Sequence, residues 1–171
     1  MKVEIKSKVI NTSRIIVKDL YEGNDVSKRM GRILAISLDV LEKSDARFDR
    51  MREELKEVYE EMTNAHNKIY QKLGGRMGSG EILGVDIDVI EKKTEVNFNK
   101  LVEGVNPKGF MRLQMTMTSI GGLVQDLMGI EGFPFAERIQ FAHWLSFVSI
   151  YDSRHRDRVL KIIGKYDPKA S

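Results

Sequence analysis

The sequence predicts a mainly α protein, a helical bundle with one long heptad-like helix and a short N-terminal β-hairpin or extended arm. Three observations carry this expectation. Phe48, Met51, Leu55, Val58, Met62, Ala65 and Ile69 recur in alternating steps of three and four, the heptad spacing of a helix with an apolar seam. Apolar sets at helical spacing also follow Val26, Ile87, Leu113 and Pro134. The one uncontested period-two run lies at the start of the chain.

There, Val3, Ile5 and Val9 alternate with Lys2, Glu4, Lys6 and Lys8, the pattern of a half-buried strand. Asn11-Thr12-Ser13 is turn chemistry, and the β-branched Ile15, Ile16 and Val17 suit a second strand. An isolated hairpin is marginal in water. Residues 1–20 are therefore expected to lie on helices or sheet, or to reach out as an arm onto a neighbour.

The helical domain is expected over 24–171. Asn24 or Asp25 caps a helix carrying Val26, Met30, Ile33, Leu34, Leu38 and Leu41. Ser44 and Asp45 supply a second capping point, so a break is expected at 43–45. The seamed helix then runs to Leu73, where Gly74-Gly75 stops it. Its back carries Arg50, Arg52, Glu53, Glu54, Lys56, Glu57, Glu60 and Glu61. A narrow seam with a charged back requires a partner surface.

A glycine-rich loop covers 74–84, with Gly74, Gly75, Gly78, Gly80 and Gly84. Ile87, Ile90, Thr94, Phe98 and Leu101 make a further amphipathic helix, closed by Gly104, and Asn106-Pro107 starts the next element. From Met111 to Thr118 the pattern fits strand or helix. The continuation through Ile120, Val124 and Leu127 favours helix, with Gly121-Gly122 as a kink or a point of close approach. Pro134 opens an apolar helix through Tyr151. Asp152 and Ser153 cap a last one, with Val159, Leu160, Ile162 and Ile163 inside and Gly164 at its end.

The 171 residues are 42% hydrophobic and 31% charged, ordinary for one soluble domain with a sizeable core. There is no cysteine, which excludes disulfides, thiolate nucleophiles and cysteine-held metals and fits a cytoplasmic or virion protein. The first residues mix charge with apolar side chains, so no secretory signal is expected. The most apolar window, 133–151, contains Glu137, Arg138, Gln140 and His143, which argues against a membrane span.

No residue set specifies a reaction, so no catalytic, cofactor or metal residue is expected. His66, His143 and His155 stand in neither HxxxH nor ExxH spacing. His143 reads as a satisfied interior histidine and His66 as a packing or surface residue. Asp86 and Asp88 form a DxD pair, but without a βαβ pattern around it helix capping explains them better. The stretch from Gly74 to Gly80 lacks the lysine of a phosphate loop, although Arg76 and backbone amides there could meet an anion. Ser79 has no histidine in sequence context, and Glu57, Glu60 and Glu61 read as a solvated helix face.

Net charge is +3, with cations concentrated at both ends. Lys2, Lys6, Lys8, Arg14 and Lys18 lie near the start. Arg154, Arg156, Arg158, Lys161 and Lys165, followed by Lys169, crowd the C-terminus and are candidate phosphate contacts. The competing reading, slightly ahead, pairs them with the acidic face Glu53 to Glu61 of a neighbour. Nine methionines, among them Met111, Met115, Met117 and Met128, suit packing and adaptable contacts.

The expected function is a non-enzymatic helical structural or assembly protein, a subunit of an oligomeric particle such as a phage or virus component. Its partners are further copies or neighbouring subunits, packed against Phe48, Met51, Leu55, Val58, Met62 and Ile69. The alternative is a small basic helical protein that binds nucleic acid through the phosphate backbone.

Overall fold

Residues Lys2–Tyr21 form a helix, α1, where the sequence predicts a hairpin or arm. The buried positions give the reason. Val9, Ile10, Ser13, Ile16, Val17 and Leu20 fall on one helical face and are covered, while Val3 is 76% exposed. The period-two run at the start is too short to outweigh that longer stripe. Thr12 and Ser13 do not make a turn. Thr12 Oγ1 donates to the Lys8 carbonyl at 2.8 Å, and Ser13 points inward.

The computed structural model describes residues 2–72 and 103–169. After α1 come α2 (Asp25–Lys43), α3 (Asp45–Lys72), α4 (Pro107–Met128), a single 3-10 turn (Gly129–Gly132), α5 (Phe133–Val148) and α6 (Ser153–Gly164). No strand occurs among the described residues. The glycine-rich loop at 74–84, the Asp86/Asp88 pair and the helix expected from Ile87 to Leu101 lie outside them.

The caps act where the sequence places them. The Asn24 side chain accepts from Ser27 N at 3.0 Å and starts α2. Ser44 is extended (φ −164°, ψ 122°) and separates α2 from α3, its hydroxyl accepting from Arg47 N at 3.2 Å. The Asn106 and Asp152 side chains cap α4 and α6. Asn24 also ties the start of α2 to the chain that enters α4. Its backbone N–H donates to Gly104 O at 2.6 Å and its amide to Glu103 O at 2.7 Å. Gly104 sits at φ 79°, a conformation that side-chain-bearing residues rarely adopt.

Among the described residues α3, at 28 residues, is the longest helix, yet α1 and α4 reach 20 and 22. The molecule is thus a bundle of several long helices rather than one rod with attachments. α5 occupies its middle. It packs against α2, α3 and α4, and Ala142, His143, Leu145, Ser146, Phe147 and Val148 are all buried. A helix apolar nearly all round belongs in an interior. α1 and α4 run antiparallel: a Cβ on Gly109 would meet Leu20 at 3.0 Å, while Ile5 and Val9 face Leu123 and Leu127. Region 111–118 is helical throughout. At Gly121 a Cβ would lie 2.8 Å from Gln140 Nε2, so the glycine leaves room for that side chain of α5.

Candidate interaction surface

The heptad seam is consumed by the chain's own fold. Phe48, Met51 and Leu55 are 0% exposed, Val58 and Met62 1%, and Ile69 8%. α3 meets α2, α5 and α6. Phe48 contacts Phe141 edge to face, with ring centroids 6.1 Å apart.

The candidate phosphate contacts are largely taken up in the same way. Arg158 pairs with Glu61, and Lys165 and Tyr166 both hold Glu54. Those two hydrogen bonds keep the Glu54 carboxyl below the usual carboxylate range. Arg156 is buried and donates to the Ser149 carbonyl at 2.8 Å. Burial, reinforced by nearby Arg29, holds its guanidinium below the ordinary arginine value. Arg154 is exposed beside Asp152, and Lys161 is exposed on α6. Arg158 and Lys165 thus reach the acidic face of α3 within their own chain. At the N-terminal end, Arg14 bridges Asp39 at 2.8 Å and Glu42 at 3.2 Å.

Two interior histidines are fully engaged. His143 is 0% exposed, its Nδ1 2.7 Å from the Ile139 carbonyl and its Nε2 3.1 Å from Ser13 Oγ. A carbonyl only accepts, so Nδ1 carries the proton and Nε2 accepts from the Ser13 hydroxyl. Burial pushes the ring down to about 4. The distance alone would suit a serine nucleophile and its base. However, Ser13 lies mid-helix and is 1% exposed. The neighbouring backbone N–H groups belong to the helix and are not free to hold an oxyanion. His66 Nδ1 is 3.0 Å from Tyr151 Oη, and its ring packs against Trp144 and Phe147. Burial lowers His66 to about 4 and raises Tyr151. The described residues hold no group of three or more His, Asp or Glu placed to bind a metal ion. None of their helices is long and apolar enough to cross a membrane.

Among the described residues, exposed large apolar side chains are most numerous on and just after α4, with Val3, Ile15 and Tyr21 on α1. Met111 is 42% exposed, Met115 59%, Leu123 52% and Leu127 55%. Just beyond the helix, Ile130 and Phe133 are also exposed. Leu123 and Leu127 form one wall of a groove of about 330 Å³, with Ile5, Val9 and Thr12 of α1 opposite and Lys8 at its rim. A second, more polar hollow of about 640 Å³ is lined by Arg52, Tyr59, Glu137, Gln140, Phe141 and Trp144. Tyr59 and Phe141 stack there at 4.5 Å, and Arg52 lies over the Phe141 ring. Glu137 and Tyr59 bring a carboxylate and a phenol to it, with no histidine beside them.

Sequence reasoning misses the α4 surface, because Met111 and Met115 read equally well as core. The available signal is helical phase: Met111 and Met115 sit across the helix from the buried Leu113, Ile120 and Val124. Comparison with known proteins gives no relative, since no family model, curated protein or solved structure matches the chain.

Proposed function

We propose that this protein is a non-enzymatic helical assembly subunit that joins neighbouring protein subunits through the outer side of α4. One observation carries the reading. Of the nine large hydrophobic side chains exposed among the described residues, six lie between Met111 and Phe133. Isolated apolar residues on a surface need no explanation, but four on α4 and two just beyond it make a concentration that marks a contact site. The methionines suit that role, since a flexible thioether adapts to an irregular partner.

The α3 seam, the sequence's first choice for this contact, is already covered from within. The nucleic-acid alternative takes second place, because Arg156, Arg158 and Lys165 face partners in their own chain.

Sedimentation at moderate and high salt tests the assembly reading. The expected result is an oligomer that persists at high salt, since apolar contacts are little screened. A monomer at the highest workable concentration would overturn it.

A further inference from the structure

We propose that the outer face of α4 packs against the same face of a second copy, antiparallel, about a two-fold axis passing at Ser119. This rests on the assembly reading and names its partner. A two-fold contact must be self-complementary, so each residue meets the one at the mirrored position. Around Ser119 the sequence satisfies this requirement three times. Met111 mirrors Leu127, Met115 mirrors Leu123, and Arg112 mirrors Asp126.

The first two pairs are apolar and exposed on both sides. The third is of opposite charge, with both members exposed. Arg112 already bonds Asp19 at 2.6 Å, and Lys108 stands one turn away to share the incoming carboxylate. In parallel pairing Asp126 would face its own kind, and like charges would oppose one another.

Residues four apart turn by about 40° around a helix, so the exposed strip Met111, Met115, Ser119, Leu123 and Leu127 has Ser119 at its centre and Met111 and Leu127 at its two edges. Its midpoint is small, Ser119 with Gly122 beside it, and a Cβ on Gly122 would meet nothing within 4 Å. Two backbones can therefore approach closely at the crossing.

The mirrored positions also bring each copy's Met111 and Met115 to the other's Leu127 and Leu123. Those leucines form a wall of the 330 Å³ groove between α1 and α4, so the partner's thioethers fill it. A stable dimer buries about 800 Å² on each partner. Ile5 and Thr12, which line the groove beside Leu123 and Leu127, extend the surface offered beyond the α4 strip.

The chain has no cysteine, which makes an introduced one unambiguous. Ser119→Cys under mild oxidation is expected to give a disulfide-linked dimer in high yield, whereas Lys161→Cys on α6 stays mostly monomeric. An equal mixture of Met115→Cys and Leu123→Cys is expected to form the mixed dimer in preference to either homodimer. Asp126→Lys should weaken association about tenfold, and adding Lys108→Glu should restore most of it. If the native chain sediments as an oligomer while Ser119→Cys does not cross-link above the Lys161→Cys level, this interface is wrong and the assembly reading stands. If the native chain is monomeric at every concentration and Ser119→Cys does not cross-link, both are wrong.

Discussion

Ser13 and His143, 130 positions apart, meet at 3.1 Å and join the middle of α1 to the middle of α5. The Ile139 carbonyl fixes the imidazole tautomer, so the serine hydroxyl has one acceptor to serve. Ser13→Ala leaves a buried ring nitrogen without its donor. The expected loss is about 1–3 kcal/mol of stability, read by urea denaturation at neutral pH. An unchanged midpoint would mean that the contact contributes nothing.

Acid weakens the fold through the same ring. Burial lowers His143 to about 4, whereas an unfolded histidine titrates near 6.5. Between those values the unfolded chain binds more protons than the folded one, so stability falls as pH drops. The contribution is complete above 6.5 and is lost towards 4, on the order of 3 kcal/mol. His66 shifts in the same direction by burial and adds to the slope. Thermal melts from pH 7 to pH 4.5 should show this decline, and His143→Gln should flatten it while lowering stability at pH 7.

The α3 seam belongs to the interior, and truncation separates that role from one between subunits. Leu55→Ala should cost about 2–5 kcal/mol. The molecules that stay folded should keep the sedimentation mass of the native chain. A drop to monomer with stability unchanged would return the seam to an intersubunit role.

The C-terminal cations should contribute little to polynucleotide binding. Arg154→Ala combined with Lys161→Ala removes the two that are most available and leaves the buried Arg156 in place. Fluorescence anisotropy with duplex DNA at low salt should give the same weak or absent signal for both proteins. A strong, salt-sensitive affinity in the native chain, reduced by these changes, would reinstate the phosphate-binding reading.

Helix positions were the most legible part of the sequence, and the reason is local. Asn24, Ser44, Asn106 and Asp152 are capping residues whose side chains bond backbone N–H groups within three positions. Such contacts are readable without tertiary structure. The hairpin expectation for residues 1–20 failed because a few alternating residues outvoted a stripe that only becomes evident over the full 20-residue helix. The seam from Phe48 to Ile69 marked a buried face correctly. A heptad pattern, however, reports that a face is covered and carries no address for what covers it. The same holds for Arg158 and Lys165, whose acidic partners on α3 could be chosen by charge but not assigned to one chain. The Ser13–His143 contact and the exposed strip on α4 depend on how α1, α4 and α5 are arranged, which no local spacing encodes.

The central position of α5 has a consequence for biosynthesis. Phe133–Val148, against which α2, α3 and α4 all pack, is synthesised after all three of them. Until then α2 covers only part of the greasy side of α3. The packing of these helices is thus completed only once Phe133–Val148 has emerged, and a nascent chain stalled before Phe133 would display the uncovered part of that side to any chaperone within reach.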